Sequence, residues 1–169
     1  MPTHQKSPRA ATAFNEELCE IFVAVTIPFA KINNPKLKHF LEKCTHKHIP
    51  DESTLRRFNL PKCYSRTISD IRANLSEQYI WISTDKTVDI LGRCIVNVIV
   101  NNLQPTHPQI PCLLATIIVE HVDAETIAKV VETSISELFQ SHDDSHVHSK
   151  VLLFVSDSEA YMLKAGKLF

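Results

Sequence analysis

The chain has 169 residues, 44% hydrophobic and 22% charged, which suits one domain with a real core and excludes a disordered or fibrous class. Its formal net charge is −1, it holds only two glycines (Gly92 and Gly166), and no apolar run is as long as a bilayer span. A phosphate-binding P-loop, a glycine-rich dinucleotide fingerprint and a membrane-spanning helix are thereby excluded.

Residues 1–13 are polar, contain Pro2 and Pro8, and read as a disordered tail without the apolar stretch of a secretory signal. Phe14, Leu18, Ile21, Phe22 and Val25 then recur at helical spacing, which predicts a helix stopping near Ile27, before Pro28. Asn34 followed by Pro35 is a helix start, and Leu37, Phe40 and Leu41 give that helix a short apolar face. Residues 51–58 suit one or two further turns. Tyr64, Ile68, Ile71 and Leu75 mark a longer helix ending near Gln78.

The pattern then changes to strands. YIWIST predicts a short strand with Ile80 and Ile82 on one face, ILGRCIVNVIVNNL a longer one, and PCLLATIIVEH a third. Asp123 is placed to cap a helix whose apolar stripe is Ile127, Val130, Val131, Ile135, Leu138 and Phe139. A polar loop, strand KVLLFVS and a final helix from about Ser158 complete the chain. The expected architecture is α/β: a helical segment over 14–78, then a β-β-β-α-β-α domain over 79–169.

Charge divides along the same line. Residues 1–72 carry 12 Lys and Arg against 7 Asp and Glu, and residues 73–169 carry 6 against 12. The basic half suggests an anionic partner, and Lys36, Lys38, Lys43, Lys47, Arg56 and Arg57 are its candidate phosphate contacts. The bland alternative is a solvated helical surface. Cys19, Cys44, Cys63, Cys94 and Cys112 are odd in number and lack CxxC spacing, so they read as reduced intracellular thiols. Cys44, His46, His48 and Cys63 superficially suggest zinc, but their spacing is not that of a finger. His142, His146 and His148, with Asp143 and Asp144, read as a solvated turn.

Three strands on short links form an antiparallel meander, and the helix over 123–140 is long enough to return the fourth strand parallel to an earlier one. If that strand joins YIWIST, Asp85 and Asp157 end two neighbouring parallel strands. Strands lie about 4.8 Å apart, so the two carboxylates could share a divalent ion such as Mg²⁺. The alternative role for Asp157 is simply to cap the last helix.

STDKTVDILGRCIVNVIVNNL and VSDSEAYMLKAGKLF resemble the first and second catalytic blocks of hAT-superfamily DNA transposases. Thr84, Asp85, Thr87, Asp89, Gly92, Arg93 and Asn97 match the first block; Asp157, Tyr161, Met162, Lys164 and Ala165 match the second. The segment TIPFAKINNPKLKHFLEKCTHKHIPDESTLRRFNLPKCY is similar to the region preceding the catalytic core. A similar segment occurs in the CGG triplet repeat-binding protein, a nuclear DNA-binding regulator of hAT origin. The resemblance implies a ribonuclease-H-like core, with Asp85 and Asp157 as two of its metal-binding catalytic acids.

The departures imply lost chemistry. The family's third acid, a Glu beyond a large helical insertion, has no counterpart here, and Glu159 does not match it. Lys86 stands beside Asp85, where relatives often carry an acidic or small residue. No zinc-finger module precedes residue 14. The expectation is a truncated or domesticated transposase-like nuclear protein with vestigial acids, at most weak Mg²⁺ binding and weak, non-specific DNA binding. Protein partners, but no membrane and no small-molecule substrate, complete it. A transcriptional regulator and an active metal-dependent nuclease are the alternatives.

Overall fold

The computed structural model of the protein describes residues 8–104, 110–140 and 149–168. The chain forms two compact units, one up to Thr67 and one from Ile68. The His142–His148 cluster falls outside the described residues.

The first unit is helical. Helix α1 spans Pro8–Ala24, a 3-10 turn spans Phe29–Asn33, α2 spans Pro35–Thr45 and α3 spans Glu52–Thr54. A π turn, Leu55–Asn59, joins α3 to α4, Leu60–Leu75, whose last turns belong to the second unit. Leu18, Cys19, Phe22, Phe29, Ile32, Ile49, Leu55 and Cys63 are buried together as its core.

Helix α1 begins at Pro8, earlier than the polar composition of the first 13 residues suggested. Proline suits a first turn, where its missing N–H has no helical partner, and Ala10, Ala11 and Ala13 favour helix strongly. The helix also ends earlier than expected, at Ala24. The Ile27 N–H bonds to the Phe22 carbonyl (2.9 Å) and the Thr26 N–H to that of Val23 (3.1 Å). This is a Schellman ending, and it drives Thr26 to a left-handed φ of 55°. A second local rule governs α4. Pro61 cannot donate, and in a regular helix its ring would collide with the carbonyl of Arg57. The turn before it is widened, with the Leu60 N–H reaching back five residues to Leu55.

The second unit is mixed α/β. Strands β1 (Ile80–Val88), β2 (Cys94–Asn102), β3 (Cys112–Val119) and β4 (Val151–Val155) form one sheet in the order β3-β2-β1-β4. β1 is antiparallel to β2 and parallel to β4. Helices α5 (Ala124–Phe139) and α6 (Ala160–Leu168) complete the unit. Ile80, Ile82, Val96, Val98 and Val100 form the buried strand face. They cluster with Ile127, Val131, Ile135 and Leu138 of α5 and Met162 and Ala165 of α6. Each fully buried aliphatic side chain contributes about 1.5–3 kcal/mol.

Two strand boundaries differ from the sequence expectation. β1 runs on through Asp85 to Val88, so Asp85 is paired with Asn97 inside a strand rather than standing at its end. β2 starts at Cys94, because Asp89–Arg93 is spent on a hairpin. The Asp89 carboxylate accepts the N–H groups of Leu91 and Arg93 (both 2.9 Å) and binds the Arg93 Nε (2.7 Å), while Gly92 takes φ 77°. Gly166 serves packing instead: a Cβ there would lie 2.9 Å from the Phe154 ring, so its absence lets α6 approach β4.

Two substitutions test these constraints in urea unfolding. Thr26→Gly removes a β-branched residue from left-handed backbone and should stabilise the chain by about 1 kcal/mol. Gly166→Val overfills the contact with Phe154 and should destabilise it by about 1–3 kcal/mol.

Candidate functional site

The last paired couple of the parallel ladder is Ser83 with Val155, and Asp85 and Asp157 each lie two residues farther on. Side chains alternate along strands, so Asp85 shares the face of Trp81 and Ser83, and Asp157 continues the parity of Leu153 and Val155. This is the face opposite the buried row Ile80, Ile82 and Thr84. Both acids are exposed. Lys86, by the same alternation, belongs to the face of Thr84 rather than that of Asp85.

Asp85 heads a polar row across the sheet. It pairs with Asn97, which pairs with Thr116, and the Thr116 hydroxyl donates to the Asn97 side-chain oxygen (3.0 Å). Tyr161, on the first turn of α6, links the two acids electrostatically. Its phenol is pushed above its ordinary value, first by partial burial and then by the negative charges of Asp157, Glu159 and Asp85. Tyr161 and Asn97 entered the sequence reading only as motif matches. Cross-strand register gives them their place around the acids, and spacing along the chain carries no such signal.

Asp157 is not a direct helix cap. Its carboxylate accepts the N–H of Glu159 (3.2 Å), and α6 begins at Ala160 rather than Ser158. The Glu159 carbonyl receives the first helical N–H groups, those of Met162 and Leu163. Asp157 therefore shapes the turn entering the helix. Among the described residues, no group of three or more His, Cys, Asp or Glu side chains is arranged to hold a metal ion. A pair of carboxylates supplies hard oxygens to an ion that keeps most of its waters, but not the ligand set of a two-metal reaction.

The six candidate cations do not form one surface. Lys36 and Lys43 lie seven residues apart on α2, exposed on the side that also carries His39 and Phe40. Lys38 is half-buried, and its charge adds a small contribution to holding the Asp51 carboxyl below its usual range, after the Thr54 backbone N–H. Lys47 stacks over the Phe14 ring at 4.3 Å. Arg56 binds Glu52 (2.8 Å) and covers the Phe29 ring at 5.2 Å. Arg57 lies 5.2 Å from the exposed Phe58 ring. The zinc-like set is likewise dispersed: Cys63 is buried in the helical core, Cys44 is exposed, and His48 pairs with Glu42 at 3.6 Å.

The helical unit is also held by exposed ion pairs. Glu16 binds Lys62 (2.7 Å) and Arg66 (3.4 Å), and Glu20 binds Arg66, so α1 and α4 are bridged from both sides of Cys63. No helix is long and apolar enough to cross a membrane among the described residues. The chain matches no protein-family profile and no curated protein sequence.

Asp157→Ala removes the turn hydrogen bond to the Glu159 N–H and should cost about 0.5–1 kcal/mol in thermal or urea unfolding, with Asp157→Asn retaining most of that through its side-chain oxygen. Acid should loosen the helical unit. The Lys62 hydrogen bond, its largest cause, holds Glu16 below its ordinary value of 4.5. A depressed folded value stabilises above the unfolded one and is lost as pH falls through the folded one. Protection factors of α1 amides, corrected for intrinsic exchange, should therefore be highest above about pH 4.5 and fall below it, with Glu16→Gln weakening the dependence.

Proposed function

We propose that this chain is a transposase-derived, DNA-binding nuclear protein. Its ribonuclease-H-like core retains two of the ancestral acids, Asp85 and Asp157, and does not cut or join DNA by itself. The single observation that carries the reading is the parallel pairing of β1 with β4. It supports a common edge and a common face for the two acids that the resemblance to hAT transposases singles out. The sheet order β3-β2-β1-β4, with α5 between β3 and β4, supports the ribonuclease-H-like assignment. Among the described residues the two acids have no third His, Cys, Asp or Glu ligand beside them, and a two-metal site that clamps both reacting oxygens asks for more than a carboxylate pair.

DNA binding rests on the helical unit. Lys36 and Lys43 share one exposed helix side with His39 and the half-exposed Phe40, and Arg57 with Phe58 offers a second cation beside an aromatic. Cations neutralise phosphates and aromatic rings stack on bases, and neither reads a duplex sequence in the major groove. Binding of this kind is non-specific and strongly salt-dependent.

The test is a fluorescence titration of labelled DNA with the full chain at two salt concentrations. Affinity should fall steeply with salt, and Lys36→Glu with Lys43→Glu should weaken binding roughly tenfold or more. Unchanged affinity in that double variant would count against the α2 surface. In parallel, Mg²⁺ should leave supercoiled DNA uncut. Cleavage abolished by Asp157→Asn would restore an enzyme.

A further inference from the structure

We propose that Cys19 and Cys63 are a redox-sensitive pair whose oxidation to a disulfide locks α1 onto α4 within the helical unit. Both thiols are buried in the same core, Cys19 completely and Cys63 at 8% exposure. The Cys63 Sγ donates to the Glu16 carbonyl (3.9 Å), one turn from Cys19 on the same helix. After burial, Cys63 is the neighbour that acts most strongly on the Cys19 thiol. The Cys63 sulfur therefore already faces the turn of α1 that carries Cys19.

The oxidant is hydrogen peroxide, and the order of events follows from burial. Burial first, and then the Cys63 contact, push the Cys19 thiol up to about 12, so Cys19 stays protonated while packed. Cys63, the less enclosed sulfur, reacts first: its thiolate attacks the peroxide O–O bond, giving a sulfenic acid and releasing hydroxide. The Cys19 sulfur then attacks the sulfenic sulfur, an S–S bond forms, and water leaves with the thiol proton. Two thiols lose two electrons and two protons in all, and the peroxide becomes two waters.

Ion pairs join the same two helices beside the thiols and oppose their local separation. Lys62 with Glu16, and Arg66 with Glu16 and Glu20, bridge the two helices at the surface. Exposed pairs are screened by salt. Raising ionic strength therefore opens the way to the buried sulfurs, while the exposed Cys44 gains nothing. The closed link would enclose α2 and α3, the kind of long loop whose closure constrains the unfolded chain most.

The experiment treats the full chain with peroxide and maps the cysteines by digestion and mass spectrometry. The expected result is a peptide pair joined through Cys19 and Cys63, formed several-fold faster at about 1 M salt than at low salt. The linked form should melt on the order of 5 °C higher, and a reductant should reverse the shift. Cys44→Ser should leave the linkage intact. Cys63→Ala, which keeps a small apolar group, should abolish it, and a far-UV spectrum checks that this variant folds. Two results would overturn the proposal: a reaction confined to Cys44, Cys94 or Cys112, or a Cys63 oxidised to sulfinic acid while Cys19 remains a free thiol.

Discussion

The parallel pairing of β1 with β4 is the constraint on which the second unit depends. β1, β2 and β3 form an antiparallel meander whose links stay local, and the Asp89–Gly92 hairpin can close on its own chemistry. β4 cannot join that way. It must run beside β1 in the same direction, so the chain has to leave β3 at one edge of the sheet and return at the other. Helix α5 makes that crossing, and its buried stripe of Ile127, Val131, Ile135 and Leu138 covers the sheet as it does so. Ile80 and Ile82 are fully buried because β1 then has a neighbour on each side and helices over one face.

The same pairing sets the surroundings of the two acids. Asp85 and Asp157 are 72 positions apart in sequence, yet each follows the last couple of one ladder by the same step. Tyr161 feels both charges only because α6 folds back directly after β4. That return is close because Gly166 leaves room for Phe154 and because Met162 packs under Thr84, whose hydroxyl approaches its sulfur at 4.0 Å. Packing on one face of the sheet therefore determines which polar groups meet at its edge.

In the helical unit a count of positive charge overstates the free cationic surface. Arg56 and Lys47 lie over the rings of Phe29 and Phe14, and Lys62 and Arg66 are tied to Glu16 and Glu20. These cations hold helices together. Such pairs are individually small when exposed, but here they flank a closed apolar core that contains both Cys19 and Cys63. What is left for an anionic ligand is narrower, with Lys36 and Lys43 on one side of α2 as its clearest element.

Local rules were legible in the sequence. The Asn34-Pro35 start of α2 was readable, and Asn34 accepts the N–H groups of Lys36 and Leu37. Asp123 was readable as the cap of α5, accepting the Thr126 N–H at 2.8 Å, and so was the apolar stripe that follows. These depend on a few adjacent residues and on helical period, which the sequence states directly. The extent of β1 past Asp85, the hairpin that removes Ile90 and Leu91 from β2, and the π turn before Pro61 depend on pairing and sterics that composition does not report. Tertiary structure alone decided that Cys63 belongs with Cys19 rather than with Cys44 and His48. It alone fixed the β1–β4 pairing on which the common edge of Asp85 and Asp157 depends. The physical reason is that a side chain's neighbours across strands and helices are set by register and long-range burial, and neither is encoded in the spacing of any single segment.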